Sequence, residues 1–253
     1  MGWIDEFDRR NDKDWFSCGQ CEIPSSLREE EYDPVDCTAI HGLSSSLPSG
    51  LYRIKIPMLG HVTAVCEMEI DGGGWTVISE VDGTGVSTVS FFNVAWAEYK
   101  DGFGNLTSEF WLGNDKLHYL LSQGSYELRM DMSDFSNQIR YVKYSSFSVG
   151  NETFKYVVSI SGFSGNVGDC FTSEQAINNM KFTTKYQDND VRAENCVVLF
   201  QSRWWHRKCL CANPNGLYLA GKTAVYAKGI TYGPWLAHYY SLKTIQLMVM
   251  RMV

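Results

Sequence analysis

Two carboxylates, Asp188 and Asp190, stand one residue apart in YQDNDVRAENC (186–196), six residues ahead of Cys196. A turning backbone lets alternate residues aim at one point, so this pair can address a single hard cation. Such an ion takes six to eight oxygens from carboxylates, backbone carbonyls and water. The same letters also describe a solvated polar turn, and the string alone leaves both readings open. An EF-hand is excluded: Arg192 stands where Asp or Asn is required, no glycine follows it, and the twelfth position is Leu199 rather than Glu.

Other reactive patterns fail on residue type. Gly72-Gly73-Gly74 is followed by Trp75 and lacks the lysine of a phosphate loop. The five histidines form no H-E-x-x-H pattern, and no G-x-S-x-G elbow occurs. The sequence therefore argues against an enzyme. The eight cysteines, at 18, 21, 37, 66, 170, 196, 209 and 211, are even in number and dispersed, which suits disulfides in an oxidising compartment. Cys18-Gly-Gln-Cys21 has the spacing of half a zinc knuckle, but Cys209-Leu-Cys211 is too tight for the other half. An extracytoplasmic protein would expose Asn105-Leu-Thr and Asn151-Glu-Thr as glycosylation acceptors.

These groups need elements to hold them. The 253 residues, 44% hydrophobic and 14% aromatic, suffice for a sizeable core. No apolar run reaches the length of a membrane span. The first residues lack the apolar centre of a signal peptide, so either such a segment has been removed or the protein is not exported. Glu6 discounts a myristoylation start. Residues 1–36 carry 11 acidic and 4 basic side chains, the whole net charge of −7, and read as a tail or linker. The body from 37 to 253 is neutral, without the basic stripe that nucleic acid requires.

Alternation places Tyr126, Leu128, Met130 and Met132 on one face of a strand, and Phe154, Tyr156, Val158 and Ile160 on one face of another. TIQLMVMRMV, apolar on both faces, reads as a central strand at the C-terminus. NDKLHYLLSQG predicts a helix with Asn114 as cap and Gly124 as stop. From about Gly162 some eighty residues show little periodicity, far beyond ordinary loop length, so crosslinks or a bound ion must hold them.

Five strings in order, CEMEIDGGGWTV (66–77), YKDGFGNLTSEFWLGN (99–114), DNDVRAENC (188–196), RWWHRKC (203–209) and NPNGLYL (213–219), resemble the fibrinogen-related domain of fibrinogens, ficolins, tachylectins, tenascins and angiopoietins. The resemblance covers 37–253. It implies an α+β fold in three parts: a small N-terminal piece stapled by Cys37–Cys66, a central twisted, mostly antiparallel sheet with flanking helices, and a loop-rich ligand-binding part holding calcium and a Cys196–Cys209 disulfide. Cys170 and Cys211 fall where other residues are usual; both lie in the loop-rich part and are expected to pair. Cys18 and Cys21 would close a small ring or link subunits.

By the same resemblance, calcium takes the side chains of Asp188 and Asp190 and the backbone carbonyls of Arg192 and Glu194. A slot for an acetyl group maps onto Phe200, Tyr226, Ala227 and His238. The backbone at Lys208 and Cys209 would supply a hydrogen-bond donor, across a peptide bond that is typically cis in the family. Leu210 replaces a polar residue, usually histidine, that touches ligand in many relatives, and so weighs against fibrin-type peptide binding. Trp204 and Trp205 are read as packing residues. The implied protein is a secreted, oligomeric, calcium-dependent lectin for acetylated glycans of the N-acetylglucosamine type, serving innate immune recognition. The alternative is a matrix or signalling protein gripping a protein receptor with the same loops.

Overall fold

The computed structural model describes residues 33–84, 90–173 and 176–252. The tail positions Cys18 and Cys21 lie outside the described residues.

Helix α1 (Cys37–Leu43) leads into β1 (Gly50–Ile56), β2 (Gly60–Glu67) and β3 (Trp75–Val81). Then come α2 (Trp96–Asp101), the short β4 (Phe103–Gly104) and β5 (Phe110–Trp111), and α3 (Asn114–Leu121). The long strands β6 (Tyr126–Ser133), β7 (Ile139–Val149) and β8 (Val158–Gly165) follow. Beyond Gly165, among the described residues, only small elements occur before the last strand: α4 (Cys196–Phe200), β9 (Ala212–Asn213), β10 (Gly221–Lys222), β11 (Thr231–Tyr232), α5 (Gly233–Leu236) and β12 (Tyr240–Ser241). Strand β13 (Thr244–Arg251) is the last element.

The main sheet runs β1-β2-β3-β13-β6-β7-β8, every pair antiparallel, with β5 on β3 and β4 on β5. The apolar C-terminal run thus lies in the middle, between β3 and β6, and buries Ile245, Leu247, Met248 and Val249. Its neighbour β6 buries Tyr126, Leu128, Met130 and Met132, as alternation predicts. Full burial of each large apolar side chain contributes about 1.5–3 kcal/mol, which makes this strip the anchor of the fold.

Two glycines in the quoted strings are required by geometry. Gly102 ends α2 with φ 91°, and a Cβ there would lie 2.3 Å from the Leu112 carbonyl oxygen. Gly73 has φ 77°, and a Cβ would lie 2.1 Å from the Met68 oxygen. Left-handed φ and close backbone approach are both costly for any residue with a side chain.

Two local expectations need correction. The second alternating run does not form a strand from Phe154. Asn151 accepts from the Phe154 N–H, a 3-10 turn covers Glu152–Phe154, and Lys155 and Tyr156 take φ of 56° and 50°. Phe154 is therefore 63% exposed, and the strand starts at Val158. In the helix, Gly113 rather than Asn114 is the cap, because the Asn114 side chain accepts from the Trp111 indole at 3.1 Å. The helix ends at Leu121 with Ser122 as its C-terminal cap, two residues before Gly124.

Residues 33–36, grouped with the tail on composition, are held by the body. The Pro34 carbonyl accepts from Lys55 N–H at 2.7 Å. Asp36 is fully buried, caps α1 through Ala39 N–H, and accepts from the Tyr126 hydroxyl and Arg251.

Candidate functional site

The loop-rich part beyond β8 packs on the main sheet through an aromatic cluster, with Trp111 of β5 6.3 Å from Trp204 and Tyr144 of β7 5.5 Å from Phe171 between ring centroids. Trp204 and Trp205 meet at 4.8 Å between ring centroids, and Phe182 lies 5.1 Å from Trp205 and 5.0 Å from Tyr99. Both tryptophans are buried, and the Trp205 indole donates to the Tyr156 carbonyl at 2.6 Å. They are core residues, as the sequence suggests. Disulfides Cys37–Cys66, Cys170–Cys211 and Cys196–Cys209 crosslink the protein. The last two both lie in the loop-rich part, where ladder hydrogen bonds are fewest.

The acidic loop is built from its own amides. Asp190 Oδ1 accepts from Arg192 N–H at 2.9 Å and Oδ2 from Cys196 N–H at 2.9 Å, while Asp188 Oδ1 accepts from Asp190 N–H at 3.3 Å. Neither aspartate pairs with a cationic side chain among the described residues; Arg192 instead pairs with Glu194 at 2.7 Å. Partial burial, and secondarily the like charge of Asp188, push the Asp190 carboxyl above its usual range. A cation between the two carboxylates would relieve both penalties. Among the described residues no three His, Cys, Asp or Glu side chains gather as a metal cluster, so an ion here would depend on backbone carbonyls and water for its remaining oxygens. The side chains of Arg192 and Glu194 point to each other, leaving only their backbone for that task.

The loop is wired to the disulfide beside it. Asn195 caps α4 by accepting from Val197 and Val198 N–H, Cys196 opens that helix, and Arg192 Nη1 lies 3.8 Å from Cys209 Sγ. The expected cis bond at Lys208–Cys209 is not present: among the described residues every peptide bond is trans. The backbone reverses there through Cys209 itself, at φ 75°. Cys209 is buried and its N–H donates to no described backbone acceptor, whereas Lys208 is exposed.

Helix α4 ends on Phe200, whose ring lies 6.4 Å from that of Tyr226. His238 lies 5.3 Å from Tyr226 between ring centroids, and the adjacent Ala227 is fully buried with φ 55°. Ala227 N–H donates to the His238 carbonyl at 2.8 Å. Phe200, Tyr226, Ala227 and His238 thus lie close together beside the end of α4. Burial lowers the His238 pKa, keeping the ring neutral, and its Nδ1 is buried without a hydrogen-bond partner among the described residues.

Two positioning residues escaped the sequence reading. Asn213 donates through Nδ2 to the Ala227 carbonyl at 2.9 Å and the Phe200 carbonyl at 3.4 Å, tying these two segments together. His206, fully buried and pushed down to about 4 by that burial, sits between the Ser202 and Cys209 carbonyls, with Nε2 3.1 Å from the first and Nδ1 3.3 Å from the second, and the single N–H of the neutral ring donates to one of them. Both lie inside the quoted strings, which is the only sign a sequence gives of them. Asn105, at the turn before β5, is exposed, and Asn151 is half-buried.

A central antiparallel sheet carrying a disulfide-crosslinked loop region, with an acidic turn beside an aromatic cluster, is the architecture of a binding domain. The protein belongs to the family of the C-terminal globular domain of fibrinogen beta and gamma chains, whose match spans residues 34–252. It is 44% identical over 197 residues to Ryncolin-4 of Cerberus rynchops, covering 77% of this chain and 55% of that protein. It is 37% identical over 220 residues to Techylectin-5A of Tachypleus tridentatus, covering 86% and 74%. Fibrinogen C domain-containing protein 1 of Xenopus tropicalis is 38% identical, covering 85% and 47%. The chain thus spans about half the length of two of these three relatives. Among solved structures, the fibrinogen-like globe domain of human ANGPTL6 superposes with TM-score 0.78 at 29% identity, covering 88% of this chain and 99% of that one. Lamprey fibrin D-dimer, complexed with the peptide Gly-His-Arg-Pro-amide, gives TM-score 0.79 at 30% identity, covering 92% and 79%. No helix among the described residues is long and apolar enough to cross a membrane.

Proposed function

We propose that this domain is a secreted, calcium-dependent lectin for acetylated glycans of the N-acetylglucosamine type, acting in innate immune recognition. The observation that carries the reading is the proximity of Phe200, Tyr226, Ala227 and His238, together with a buried His238 Nδ1 that has no hydrogen-bond partner among the described residues. An acetamide offers a methyl for the aromatic slot and polar atoms for the neutral imidazole and the Cys209 N–H. A buried polar atom gains most from such a partner because leaving it unpaired costs about 1–3 kcal/mol.

Calcium, held by Asp188 and Asp190 with the carbonyls of Arg192 and Glu194, would supply the positive charge that the two aspartates lack among the described residues and fix the segment entering Cys196. The protein should bind immobilised N-acetylglucosamine and be released by EDTA. Tyr226→Ala should weaken that binding at least about tenfold, since a well-packed aromatic contact plus its buried area is worth on the order of 1.4 kcal/mol or more. Wild-type retention by the Tyr226→Ala protein would refute the slot.

The calcium assignment has its own test. Two formal charges suit an affinity near that of extracellular modules, so about 5 mM calcium lies roughly tenfold above Kd. Ligand linkage then adds about 1.4 kcal/mol, a rise in Tm of roughly 3–6 °C. In Asp188→Asn/Asp190→Asn the calcium-dependent rise should vanish; a rise equal to wild type would place the ion elsewhere.

One weak-binding cleft gains useful avidity only when several are linked, so an oligomer is expected, with the acidic N-terminal segment as junction and glycans at Asn105 and Asn151. A protein receptor is the second reading, favoured by the exposed Tyr186, Val191, Val198 and Val225 in and around the same loops. Failure to bind acetylated sugars while the calcium-dependent Tm rise persists would select it.

A further inference from the structure

Tyr226 is the hub of a cluster that extends past the slot. Besides Phe200 and His238 it meets Tyr239, at 5.2 Å between centroids and 62° between planes. Tyr239 is 54% exposed and Tyr226 51%. Their backbones, in contrast, are fixed. The Tyr239 carbonyl accepts from Thr223 N–H at 3.0 Å, and the next residue, Tyr240, pairs with Lys222 between β10 and β12. Ala227 N–H to the His238 carbonyl, at 2.8 Å, clasps the other end of the same loop. Two large rings on an ordered backbone therefore stand side by side next to the proposed slot, each with about half its surface in water. Neither hydroxyl bonds to a described residue.

Such a surface is apolar on its ring faces and polar at its tips, which matches a pyranose with its C–H face and hydroxyl rim. Such rings also lose little conformational entropy on binding, since tyrosine has few rotatable bonds and the backbone here is already ordered. A monosaccharide whose acetyl group fills the slot at Ala227 and His238 would leave the outer Tyr239 ring uncovered. We propose that Tyr239 forms a second subsite, which stacks on the sugar adjoining the acetylated one, so that the ligand is an oligosaccharide of at least two units. This rests on the acetyl-sugar reading of the slot.

The test compares N-acetylglucosamine with its β1,4-linked dimer by calorimetry, on the wild-type protein, Tyr239→Ala and Tyr239→Phe. The wild type should bind the dimer about 3- to 10-fold more tightly than the monomer, the gain of one aromatic contact. In Tyr239→Ala that ratio should fall towards one, and Tyr239→Phe, which keeps the ring, should retain most of it. Equal affinities for monomer and dimer in the wild type, or an undiminished ratio in Tyr239→Ala, would overturn the subsite while leaving the slot intact. Absence of binding to either sugar would remove the slot reading and the subsite with it.

Discussion

Replacing Cys196 and Cys209 together by serine is expected to lower stability by about 3 kcal/mol and to abolish binding of acetylated sugar. The stability figure follows from the conformational entropy released when a crosslink with a sequence separation of 13 is opened. At about 2–4 °C per kcal/mol, Tm should fall by roughly 6–12 °C. Loss of binding follows from what the crosslink holds. Cys196 opens the helix that ends on Phe200, and its N–H is one of the two amides fixing Asp190. Cys209, at φ 75°, offers beside it an N–H that donates to no acceptor among the described residues. Thermal melts with added calcium, alongside the bead assay below the lowered Tm, check both parts. A folded double mutant that still binds sugar would show that the aromatic cleft stands without its crosslink.

Asp36→Ala should cost at least as much through a different route. The carboxylate is fully buried and accepts from Ala39 N–H at 2.8 Å, the Tyr126 hydroxyl at 2.6 Å and Arg251 Nε at 2.8 Å. One side chain thus joins the first helix to β6 and to the last residues of β13. Truncation strands a guanidinium and a buried phenol, and breaking a buried pair in this way costs about 3–5 kcal/mol. The lost helix cap adds about 1 kcal/mol more. Arg251 is partly exposed and can recover some hydration, so the total should settle near about 4 kcal/mol by urea denaturation. Asp36→Asn keeps an acceptor for the cap and should lose about half as much. Since Asp36 contacts none of the cleft residues, the folded fraction of Asp36→Ala should bind sugar normally. A loss below about 1 kcal/mol would mean that water replaces the carboxylate.

The acidic loop and helix α3 show where reading by residue type works and where it slips. Asp188, Asp190 and Cys196 are visible as a group because all lie within nine residues of one another. Leu117, Leu120 and Leu121 give the helix its buried face, yet its cap moves to Gly113 because a residue three positions earlier, Trp111, engages Asn114. Phe154 shows the larger slip. Its alternation with Tyr156 and Val158 predicts a strand, but a side-chain cap from Asn151 and two left-handed residues compete successfully with the ladder.

What the sequence determined alone was whatever depends on neighbours in the covalent order: the buried faces of β6 and β13, the paired carboxylates, and the set of cysteines from which the crosslinks are drawn. Only the tertiary structure decided the rest. Asn213 ties Phe200 to Ala227, His206 braces Cys209, the Lys208–Cys209 bond stays trans, and Tyr239 reaches the ring of Tyr226. In a segment with so few ladder bonds, backbone conformation is set by contacts between distant residues, and a periodic pattern carries no record of them.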